Sequence, residues 1–156
     1  MKNLKVLIVL FVLAFILSAC FPGTPTPVLT TSSEYIKAAW DAYNANKFPE
    51  AASLAQECIS KWETKAKEQQ SALTQAPLNG QVTEDQKKAI QANWALNDVG
   101  TAYFIKAQAL EKQGKTDEAK KVYEQTAAFP YARAWDPKGW FWSPADEAGA
   151  KSAQMP

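Results

Sequence analysis

From Glu34 onward, apolar side chains recur at helical spacing over most of the chain, and no stretch alternates with period two for long. Ser33 offers a capping hydroxyl to a first helix over Glu34–Ala45, with Ile36, Trp40 and Tyr43 on one face. Asn44–Lys47 is a polar turn. Pro49 suits the first turn of a second helix, where its missing N–H costs no hydrogen bond. That helix extends to about Gln75, and its polar distal part, KAKEQQSALTQ, points to solvent or frays. Cys58 shares a stripe with Ala51, Leu54, Ala55 and Trp62, so burial is expected. Pro77-Leu-Asn-Gly80 breaks the pattern. Thr83-Glu-Asp-Gln86 is a capping box opening a third helix to about Gln113, which carries Ile90, Trp94, Val99, Tyr103 and Leu110. Gly114-Lys-Thr116 leads into a fourth helix, Asp117–Ala128, closed by Phe129-Pro130. Tyr131–Trp142 reads as an aromatic loop, and Ser143-Pro144 opens a last short helix. The fold expected is all-α.

The chain before Ser33 follows a different pattern. Lys2 and Lys5 precede an unbroken apolar run from Val6 to Leu17, shorter than the roughly 20 residues a membrane span needs. A basic start followed by such a run is the layout of a secretory signal peptide. The segment Leu17-Ser18-Ala19-Cys20 resembles the lipobox of bacterial lipoproteins. That resemblance implies cleavage before Cys20 and lipidation of its thiol, so that acyl chains would anchor the protein without spanning the bilayer. Phe21, where an Asp would favour inner-membrane retention, implies the periplasmic face of the outer membrane in a Gram-negative cell. Pro22, Pro25 and Pro27 with neighbouring Thr and Ser describe a semi-extended tether. At about 3.1 Å per residue it reaches roughly 40 Å. The organisation expected is a signal peptide over 1–19, a lipidated Cys and tether over 20–33, and a helical domain over 34–156.

Composition narrows the chemistry. The chain has 17 Lys and Arg against 16 Asp and Glu, which leaves no strong electrostatic case for a nucleic-acid partner. The absence of His excludes Ser-His-Asp and Cys-His mechanisms and His-ligated metals, and two Cys cannot make a four-cysteine zinc site. No phosphate loop, nucleophile elbow or metal motif is present, so neither a cofactor nor a metal is expected. Carboxylate pairs are the remaining catalytic option, with Asp136 and Asp146 or Glu147 as a glycosidase-like pair. Asp146 and Glu147 are equally explained as favourable charges at a helix N-terminus, and an enzyme is not the expectation.

Two segments share one plan, an aromatic-bearing helix, a short polar turn and a Glu-Ala pair opening a second helix. They are Tyr35–Trp62, with Phe48-Pro-Glu-Ala51, and Val99–Pro130, with Thr116-Asp-Glu-Ala119. This plan resembles the tetratricopeptide repeat, a 34-residue helical hairpin. The second copy places Tyr103, Ala107, Leu110, Gly114, Ala119, Tyr123 and Pro130 at or within one residue of family positions, although the family's usual Trp and Leu-Gly pair are missing there. The first copy aligns only with a turn one residue short. The stretch from Glu63 to Asn97 offers an imperfect middle layer. The resemblance implies an adaptor that docks a protein or peptide in a groove lined by the first helix of each hairpin. Carried onto this chain, the groove residues are Lys37, Asp41 and Asn44, then Thr101, Phe104, Gln108, Glu111 and Lys112. A solvated helix face is the alternative for each.

The segment Ala134–Pro144 concentrates Trp135, Trp140 and Trp142 with Asp136 and Lys138. Its indoles either fold over the end of the helical stack as a cap or stack on sugar rings. The function expected is therefore a membrane-anchored adaptor of the cell envelope whose partners are the membrane, through its lipid, and an envelope protein or peptide. The alternative is an envelope lipoprotein that binds peptidoglycan or another polysaccharide through the Trp-rich segment.

Overall fold

In the computed structural model, which describes residues 28–156, the elements are α1 (Ser32–Asn44), α2 (Phe48–Ser71), α3 (Glu84–Gln91), α4 (Trp94–Lys112), α5 (Thr116–Thr126), β1 (Ala134–Asp136), β2 (Trp140–Trp142) and α6 (Pro144–Ser152). The signal-peptide and Cys20 expectations, and the tether up to position 27, lie outside the described residues. The chain is mostly helical, with one two-stranded sheet among the described residues. None of the helices described is long and apolar enough to cross a membrane.

Thr31, not Ser33, caps α1. Its hydroxyl accepts from the Glu34 N–H at 3.3 Å, and the Glu34 carboxylate accepts from the N–H groups of Thr31 (2.9 Å) and Thr30 (2.8 Å). These donors hold the Glu34 carboxyl at about 2. The capping box expected at Thr83 and Gln86 forms, with bonds of 3.3 and 2.9 Å. The long third helix does not form, because the chain breaks at Ala92-Asn93 into α3 and α4. Side chains from elsewhere take over the exposed backbone groups there. Gln69 of α2 accepts from the Leu96 N–H (2.9 Å), and the Asn97 amide donates to the Ile90 carbonyl (2.7 Å). α2 itself stops at Ser71, short of Gln75.

The turns joining α1 to α2 and α4 to α5 have the same length and shape. Asn46 (φ +59°) precedes Lys47 (φ −87°, ψ 60°), and Gly114 (φ +75°) precedes Lys115 (φ −87°, ψ 61°). In each, the Lys N–H donates back into the preceding helix, to Ala42 at 2.9 Å and to Leu110 at 3.0 Å. The first turn is therefore not one residue short. Aligning Asn46 with Gly114 pairs Tyr35 with Tyr103, Ala39 with Ala107 and Ala51 with Ala119. All four of these alanines are fully buried, which lets helix backbones approach closely.

α2 packs against α1 and α4, α4 also packs against α1 and α5, and α6 covers α5 and touches α4. The two hairpins thus stack directly through α2 and α4. The stretch from Glu63 to Asn97 inserts no middle layer, since it is the end of α2, a loop, and α3, which packs against α4. Tyr103 packs against the core of both hairpins and against the cluster around Phe129. Cys58 is fully buried, and burial, reinforced by the nearby Asp98 charge, pushes its thiol up to about 12.

The aromatic loop is a β-hairpin. Ala134 pairs with Trp142, Trp135 with Phe141, and Asp136 with Trp140. Its turn is held by the Asp136 carboxylate, which accepts from the Lys138 N–H at 2.8 Å, and by Gly139 at φ +104°. Gly80 adds a bridge on the outer edge, exchanging backbone bonds of 2.7 and 3.0 Å with Phe141.

Candidate functional site: a tryptophan-lined cleft

The hairpin stands across the open side of α1 and α4, and the three together enclose a cleft of about 890 Å³. Ser33, Ile36, Trp40 and Asn44 face it from α1, and Asp98, Thr101 and Phe104 from α4. Under the turn alignment, Ser33 corresponds to Thr101 and Ile36 to Phe104, so the wall is the same face of two equivalent helices. Trp94 lies at the start of α4, and Trp135, Asp136, Trp140 and Trp142 complete the wall from the hairpin, with Glu147 of α6 at the rim. Five of the six Trp line this one cleft; the sixth, Trp62, packs edge-on against Tyr35 at 5.5 Å.

The aromatic segment is divided between two jobs. Phe141 is buried, and Trp142 packs edge-on against Phe104 with ring centroids 5.1 Å apart. Trp140 and Trp135 remain 38% and 40% exposed, and Trp94 44%. Trp135 is steadied by Phe141 at 4.8 Å and by the Lys87 ammonium 4.3 Å above its ring.

Several polar groups of the wall are already engaged. Asn97 accepts from the Arg133 N–H at 2.9 Å, and Thr101 donates to the Asn97 carbonyl at 2.7 Å. The Arg133 guanidinium, in a residue only 5% exposed, donates to the carbonyls of Pro77 (2.6 and 2.9 Å), Pro130 (3.0 Å) and Ala132 (2.7 Å). Arg133 thereby staples the loop after α2 to the base of the hairpin. Asp98 accepts from the Ser32 hydroxyl; burial raises its pKa and that bond acts against the rise. Asn44, Gln91 and Glu147 are exposed on the cleft.

Of the groove residues expected from sequence, Asn44, Thr101 and Phe104 line the cleft, as do Trp135, Asp136, Trp140 and Trp142. Lys37 and Asp41 do not; they form an exposed ion pair at 2.6 Å. Each sits one residue, about 100° around the helix, from Ile36 and Trp40, which do face the cleft. The α1–α2 turn is one residue longer than the repeat alignment expects, which shifts that register by one position. Gln108 is half-buried and Lys112 exposed, both away from the cleft. Glu111 is occupied by the Tyr123 hydroxyl of α5 (2.7 Å) and the Lys151 ammonium of α6 (3.5 Å), contacts that tie both helices to α4. Ser33, Ile36, Trp40, Trp94, Asn97 and Asp98 are the cleft residues of α1 and α4 that the repeat pattern missed. Asp136 and Glu147 line the cleft, whereas Asp146 does not. Among the described residues no group of three or more His, Cys, Asp or Glu is placed to hold a metal ion.

No family model, curated protein or solved structure matches the chain.

Proposed function

We propose that this protein is a lipid-anchored adaptor of the cell envelope, built from two tetratricopeptide-like hairpins, and that it docks a segment of an envelope partner in the Trp-lined cleft. The observation carrying this reading is the convergence of equivalent faces of α1 and α4 with the tryptophan hairpin on a single cleft of about 890 Å³. Such a volume lies in the range of specific ligand sites, and aromatic walls with a few polar groups suit them. The matching turns at Asn46 and Gly114, and the buried Ala39/Ala107 and Ala51/Ala119 pairs, support the repeat-like build. In this reading Cys20 anchors the chain, the Pro-rich segment sets its reach, and the cleft selects the partner.

In-cell crosslinking of the full-length protein, with mass spectrometry of the captured partners, tests the proposal. One dominant envelope partner is expected, with capture reduced at least about tenfold by Trp140→Ala, whose side chain is open to the cleft and contributes little to the core. Cys20→Ser should release the protein from the membrane fraction. Capture unchanged by Trp140→Ala would overturn the cleft as the docking site.

A second reading is favoured by the exposed Trp94, Trp135 and Trp140 beside the Asn44 and Gln91 amides. Flat indoles with amide partners suit a sugar chain, and a glycan is then the ligand of the same cleft.

A further inference from the structure

The charged side chains of the cleft are mostly acidic. Asp98, Asp136 and Glu147 line it, and Arg133, the single basic residue in its wall among the described residues, has its guanidinium committed to the carbonyls of Pro77, Pro130 and Ala132. Nearby lysines are spent elsewhere or face away. Lys37 pairs outward with Asp41, Lys87 lies over Trp135 without joining the cleft lining, and Lys138 is exposed in the hairpin turn.

Resting on the docking reading above, we propose that the cleft takes a cationic side chain, the ammonium of Lys or the guanidinium of Arg, presented by an extended segment of the partner protein. Ionised carboxylates only accept hydrogen bonds, so an occupant must bring donors, and these two groups carry donors alone. The negative faces of indole rings attract the same charge. Lys87 over Trp135 at 4.3 Å is an instance of that pairing within the molecule. A phosphate or an acidic segment would meet three carboxylates and, among the described residues, no uncommitted cation. The cleft is larger than one side chain needs, so neighbouring residues of the segment enter with it.

The test uses full-length protein in detergent micelles with 15N-labelled indoles. It is titrated with N-acetyl-lysine methylamide and with the norleucine counterpart, a neutral side chain of similar length. Saturable shifts of the cleft indoles, with Trp62 silent, and an affinity about fivefold or more in favour of the lysine probe are expected. Glu147→Gln and Asp98→Asn should each shrink that preference, and together should bring the ratio close to one. Equal affinity for both probes, or no shift from either, overturns the cationic preference. A preference that survives both carboxylate substitutions overturns the site. Shifts from an N-acetylglucosamine tetramer but from neither amino-acid probe overturn it in favour of the glycan. Lysine selectivity without any crosslinked partner in cells would instead leave the cation site standing and remove the adaptor reading.

Discussion

The two helical hairpins carry the same turn on different residues. Asn46 takes the left-handed conformation at φ +59° where Gly114 takes it at +75°. Their surroundings differ more. In the second hairpin α5 is covered by α6, and a fully buried Tyr123 fills the space that Ala55 occupies in the first. In the first hairpin, Ile36 and Trp40 of α1 are left half-open to the cleft. Which helix faces are covered and which stay open therefore depends on what lies over them, and the hairpin plan by itself does not decide it.

Substitutions can break this comparison, the largest effect coming first. Tyr123→Ala should cost about 3–5 kcal/mol in urea unfolding, because it empties a buried aromatic site and frees Glu111 from its bond. Little loss would mean that α6 does not depend on this contact. Gly114→Ala should cost about 1 kcal/mol through the left-handed backbone. Asn46→Gly should gain a few tenths of a kcal/mol at the equivalent position, so that the two turns converge in their response. Two substitutions of the same sign would show that the turns are not equivalent. The smallest effect concerns acid. Glu34 titrates at about 2, below its ordinary 4.5, so its contribution to capping α1 is present above pH 4.5 and is lost as pH falls towards 2. Amide exchange in the first turn of α1 should rise over that window, while the start of α4, which has no carboxylate cap, stays flat.

What was legible in the sequence was local. The Thr83 capping box, the Gly114 turn and the Ser143 cap of α6 are each specified by residues within a few positions, and each forms as expected. The break at Ala92-Asn93 was hidden because Gln69, a turn from the end of α2, supplies the acceptor that α4 needs. The β-hairpin was hidden because strands of three residues are too short to show alternation. The cleft register slipped because Asn46 does what Gly114 does without announcing it. Trp94 and Trp40 read as ordinary members of apolar stripes, and only the placement of the hairpin turns those stripes into a wall.

Arg133 is the only arginine in the chain, and every partner of its guanidinium is a main-chain carbonyl. Such a staple is lopsided under mutation. Pro77 and Pro130 can change identity while still offering a carbonyl, whereas no other side chain presents the same planar fork. Sequence drift is therefore tolerated on one side of the clamp and barred on the other. The wall of the cleft can diversify around a fixed pin without the frame that holds it being rebuilt.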